Sequence, residues 1–104
     1  MSFWSKIFGG QKQEEPEERK REKAIQYKGM DIVAAPIKEP DGQWRLAGFI
    51  VHLVNGDQLE REFIRAEVFG SREDAIEFSI SKAQQVVDQM GEKLFADGKP
   101  SGRA

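Results

Sequence analysis

The stretch QWRLAGFIVHLVNGDQLEREFIR, residues 43–65, decides the fold. Asn55-Gly56 divides it into two runs rich in β-branched and aromatic side chains. A two-residue type I′ turn needs positive φ at both central positions, and Asn followed by Gly meets that need at least cost. The reading is a hairpin with strands over Gln43 to Val54 and Gln58 to Arg65. A two-residue loop also sets the register, so Val54 opposes Asp57, His52 opposes Leu59, Ile50 opposes Arg61 and Gly48 opposes Phe63. Side chains alternate along a strand, which gives one face Trp44, Leu46, Ile50, Val54, Leu59 and Phe63, with His52 and Arg61 among them. The other face has Phe49, Val51, Leu53 and Ile64 beside Gln58, Glu60 and Glu62. Both are partly apolar, and the pattern leaves open which one a helix covers.

Upstream, Pro40-Asp41-Gly42 is a turn, because proline presets φ and glycine accepts positive φ. Before it, Met30 to Ile37 reads as a short strand, and Pro36 inside it argues for an edge position. Downstream, Ser71-Arg72-Glu73-Asp74 has an N-cap serine with an acid three residues on. Ile76, Ile80, Ala83, Val87 and Met90 then recur at spacings of four and three, an amphipathic helical stripe that Gly91 would stop. The expected fold class is α+β: a three-stranded antiparallel β-meander followed by one long amphipathic α-helix packed on one sheet face. The uncovered face, with Phe49, Val51, Leu53 and Ile64, is the expected partner or dimer surface.

The ends read differently. Residues 1–10 are apolar, and Phe3, Trp4, Ile7 and Phe8 would lie along one side of a short helix. Three readings of this hook stand together: it grips a partner or a membrane surface, it frays in water, or it folds back onto its own domain. Residues 11–24 form a charged linker, with Pro16 the one apolar side chain in 11–23, and no core can form from such a run. The β-β-β-α domain is expected over 25–96, and 97–104 as a disordered tail.

Composition narrows the function. The chain of 104 residues contains no cysteine, which excludes disulfides, thiolate metal sites and a cysteine nucleophile. No run approaches the ~20 apolar residues of a membrane span, and no secretory signal is read. Residues 1–24 contain six basic and five acidic side chains and residues 25–104 contain ten and thirteen, so the folded part is mildly acidic. That balance opposes tight phosphate binding. His52 sits among apolar neighbours with no triad or metal-ligand spacing around it, and reads as a structural or surface histidine. Glu60 and Glu62 project to the same side about 7 Å apart and read as solvated strand carboxylates. Gly48 reads as the place where Phe63 lies across the sheet. No catalytic residue, metal site or cofactor is expected, and the chain is taken as a non-enzyme.

Tyr27-Lys28-Gly29, Ala35-Pro36-Ile37, Trp44-Arg45-Leu46-Ala47-Gly48, Phe63-Ile64-Arg65-Ala66, Phe69-Gly70-Ser71-Arg72 and Ala75-Ile76-Glu77-Phe78-Ser79 together resemble the HlyU family of small bacterial proteins. The resemblance implies a cytoplasmic protein of the kind labelled a transcriptional activator of haemolysin expression. It brings no catalytic residue. Two function classes follow. The first is a non-enzymatic interaction protein, regulatory in role, that meets a protein partner or a second copy through the sheet face and the hook. The second is a DNA-binding transcriptional regulator, which the family label implies and the charge count opposes.

Overall fold

The structure is a computed structural model, and it describes residues 20–104. Its centre is the hairpin of β4 (Trp44–Val54) and β5 (Asp57–Phe69). Asn55 and Gly56 turn at φ 53° and 87°. The pairs are those the two-residue loop dictates: Val54 with Asp57, His52 with Leu59, Ile50 with Arg61, Gly48 with Phe63.

Around this hairpin the sheet is wider than a meander. Among the described residues six strands form one sheet, in the order β1 (Ile25–Tyr27), β2 (Met30–Ala34), β4, β5, β6 (Ser101–Arg103), with β3 (Ile37–Lys38) also paired to β4. The expected edge strand is therefore split: β2 is interior, between β1 and β4, while β3 pairs with β4 alone. Pro36, which has no N–H to donate, separates β2 from β3, and β1 lies on the outer side of β2. The β1–β2 turn is Lys28-Gly29, both at positive φ. Lysine is uncommon there, so the turn is hard to read from sequence.

One helix, α1 (Arg72–Met90), covers the face of Leu46, Ile50, Leu59 and Phe63. Ser71 caps it, its Oγ accepting from the Asp74 N–H at 3.0 Å, and the Gly91 N–H closes it onto the Val87 carbonyl. The seam against the sheet is Ala75, Ser79, Ala83, Val86 and Val87, rotated from the isoleucine stripe. Ile76 and Ile80 are half-buried, and Met90 is exposed. The reason lies in the β4–β5 ladder. Opposite Leu46 alone, β5 has three residues, Arg65 to Glu67, and beside this irregularity the Ala47 N–H donates to Ser79 Oγ at 3.2 Å. A buried backbone N–H must find a partner, and a seam of alanine and serine lets the helix come close enough to provide one. On the opposite strand the Arg45 guanidinium donates to the Arg65 and Ala66 carbonyls.

The expected disordered tail is ordered in the structure. A 3₁₀ turn, Gly91–Phe95, buries Leu94 and Phe95, and β6 then runs parallel to β5. The anchor is Arg61, 2% exposed in the helix-side face. Its guanidinium donates to the carbonyls of Leu94, Glu60 and Lys99 at 2.8 to 3.0 Å and to the Asp97 carboxylate. A polar tail has little apolar surface to bury, but it has carbonyls, and a buried guanidinium needs acceptors.

Candidate functional site

The open face of the sheet is where the sequence predicts an interaction surface. Val33, Ala35 and Phe49 form a small apolar cluster on it, with Val51 packed alongside. The segment that leads into β1 lies over this cluster. The Arg21 guanidinium stacks 3.7 Å from the centre of the Phe49 ring and donates two hydrogen bonds to the Glu60 carboxylate. The Glu22 N–H bonds the Ala34 carbonyl, and its carboxylate pairs with Arg72 at the start of α1. The four residues expected to share an exposed surface are thereby divided. Phe49 is 4% exposed, Val51 and Ile64 are half-buried, and Leu53 alone stands out, at 68%. The correction has an electrostatic cause. Glu60 and Glu62, read as solvated carboxylates, attract arginines instead: Glu60 pairs with Arg21, and Glu62 faces Arg103 at 3.6 Å. The N-terminal residues Phe3, Trp4, Ile7 and Phe8 lie outside the described residues.

Several of the sequence blocks that stand out together meet at the other end of the sheet. Trp44 pairs across from Phe69, with Lys38 and Arg72 cations 5.6 and 5.5 Å from its ring. Phe69 in turn stacks on Phe78 of α1, the ring centroids 5.0 Å apart and the planes within 6°. Sequence reasoning missed Phe78 because it falls off the buried stripe. Its signal was present, a large aromatic between Glu77 and Ser79 on a helix whose core seam lies elsewhere.

Several charges of the described residues are paired internally. Arg45 pairs with Glu39, Arg72 with Glu22, Arg61 with Asp97 and Lys28 with Asp88. Hydrogen bonds from Lys28 and then Tyr27 hold the Asp88 carboxyl below the usual carboxylate range, and Asp88 in turn raises both partners. Asp97 is held low first by the Lys99 backbone N–H. The exposed side of α1 has Glu73, Asp74, Glu77 and Asp88. An anionic helix surface of this kind repels phosphate. His52 lies 5.4 Å from the Phe95 ring, in keeping with a structural histidine, and its Nδ1 is buried without a hydrogen-bond partner. Among the described residues no helix is long and apolar enough to cross a membrane.

The sequence model of one family, described as transcriptional activator HlyU, matches residues 2–95. No curated protein and no solved structure matches the chain.

Proposed function

Because the chain belongs to the HlyU family, we propose that it is a regulator of transcription. The observation that carries this is the length of the match, 2–95, which takes in the hairpin, α1 and the Trp44 end of the sheet. The sequence reading ranked partner binding above a role at promoters, and the family's description reverses that order. A cytoplasmic location accords with such a role.

Direct DNA contact would not run through α1, whose outward side has four exposed carboxylates. It would use exposed cations off that side, such as Lys38 beside Trp44. Transcript levels in cells with and without the chain test the regulatory role, and unchanged transcripts would sink it. A gel shift with promoter DNA of a responsive gene tests direct contact. Affinity resting on phosphates must fall steeply between low and physiological salt.

The acidic outward side of α1 favours a second reading, in which the chain acts on transcription through a protein bound at the promoter. A gel shift that appears only when that protein is added is its expected signature.

A further inference from the structure

Residues 20–24, which lead into β1, read Lys-Arg-Glu-Lys-Ala, and this charged segment lies over an apolar cluster. Its one apolar side chain, Ala24, is exposed. Beneath it Val33, Ala35 and Phe49 are buried, in a cluster separate from the main core under α1. The contacts that hold the segment down among the described residues are polar. Arg21 lays its guanidinium on Phe49 and pairs with Glu60, and Glu22 pairs with Arg72. The Glu22 N–H bonds the Ala34 carbonyl at 2.8 Å.

These contacts differ in kind from those of Arg61. The Arg61 side chain is 2% exposed, whereas that of Arg21 is 50% exposed, and Glu22, Glu60 and Arg72 also keep contact with water. Ion pairs that water reaches contribute little, and salt screens them. A segment with few buried apolar contacts and exposed bonds opens locally, at far less cost than unfolding the sheet. Side chains at alternate positions share a face, so lifting the segment would join Phe49 and Val51 to the exposed Leu53 in one apolar row along β4.

We propose that residues 20–24 are a releasable strap, an autoinhibitory cover that opens while the rest of the domain stays folded and switches the Phe49, Val51 and Leu53 row between hidden and available. Glu60 on β5 and Arg72 at the start of α1 are the two points that hold it closed. The inference rests on the partner-mediated reading for what the uncovered row meets, whereas the opening itself is a property of the chain alone.

Amide exchange on the full chain reads that opening directly. Relative to its unstructured rate, the Glu22 amide should exchange about 100-fold faster or more than that of Ala47, which Ser79 holds under the helix. Raising salt from about 0.05 to about 0.5 M should speed Glu22 several-fold further over Ala47. Arg21→Gln and Glu60→Gln should each do the same at low salt. A second measurement uses the absence of cysteine: Val33→Cys puts a single thiol under the strap. Its labelling by a neutral disulfide reagent should quicken several-fold when Arg21→Gln is added. Glu22 exchanging in step with Ala47, at either salt and in Arg21→Gln, would overturn the proposal. So would Val33→Cys labelling at one rate with and without Arg21. Neither measurement involves a promoter or a partner, so their failure leaves the transcript test standing, and the reverse holds.

Discussion

Replacing Arg61 by methionine isolates the clasp that orders the last turn and β6. Methionine keeps the apolar stem beside Phe95, whose ring centre lies 4.9 Å from the guanidinium carbon, and removes the donors. Three bonds to the carbonyls of Leu94, Glu60 and Lys99 disappear, together with the pair to Asp97. A hydrogen bond from a charged donor contributes about 1.5–3 kcal/mol each, but the buried guanidinium also carries a desolvation cost that methionine relieves. Asp97 is 54% exposed, so its share is small. The net expectation is a loss of about 2–4 kcal/mol, concentrated in residues 91–104. Hydrogen exchange separates local from global effects. The amides of Glu60, Gly98 and Ala104 bond Pro100, Phe95 and Glu62 carbonyls, and they should lose protection first. Ala47, held by Ser79 under the helix, should keep protection close to the global limit. A melting temperature within about 2 °C of the parent, with unchanged exchange at Glu60 and Ala104, would refute the clasp.

Two further perturbations follow from the same contacts. In Gly48→Ala the new Cβ would lie 2.5 Å from the Val33 carbonyl oxygen and 2.8 Å from Phe63 Cζ, so backbone or ring must move. Denaturant unfolding should show a loss of about 3 kcal/mol, and a loss below ~1 kcal/mol would mean that the close approach is absent. The Tyr27–Lys28–Asp88 cluster should give stability a dependence at both ends of the pH scale. Asp88, depressed in the fold, stabilises above its unfolded pKa and loses that contribution as pH falls through the folded value, below about pH 4. Lys28 and Tyr27, raised in the fold, stabilise below their unfolded values and lose it as pH rises above about 10. Melting curves of Asp88→Asn should be flatter than the parent's at both ends, and parallel curves would disprove the linkage.

The central hairpin was legible because its information is local. Asn55-Gly56 fixes the turn, the turn fixes the register, and the register places Gly48 under Phe63 and Arg61 in the helix-side face. The cap at Ser71 and the stop at Gly91 are local in the same way. What could not be read depends on pairings distant in sequence. The phase of α1 goes with a contact to β4: Ser79 accepts from the Ala47 N–H, 32 residues before it, beside the irregularity in the β4–β5 ladder. The place of β6 is set by Arg61, which sits 36 residues before Asp97. The register already put an arginine on an apolar face, and a buried guanidinium has to be met by acceptors from somewhere. That demand was visible, although the segment that answers it was not. The open face was misjudged for a related reason: Arg21 reads as part of a charged linker, and only the fold shows Phe49 and Glu60 together within its reach.

The way this molecule uses its arginines bears on how its charge should be weighed. A count of basic residues treats each as available to phosphate. Here Arg21, Arg45, Arg61 and Arg72 each meet a carboxylate, and Arg45 and Arg61 also donate to backbone carbonyls that secondary structure leaves over. In the basic run before β1, Arg21 and Glu22 are held by Glu60 and Arg72, which leaves Lys20 and Lys23 exposed to solvent. Arginine's planar fork suits such fixed, multidentate duty, whereas lysine's mobile ammonium suits diffuse attraction. The surface potential of the described residues is consequently set by lysines against the carboxylates of α1 and the strand ends.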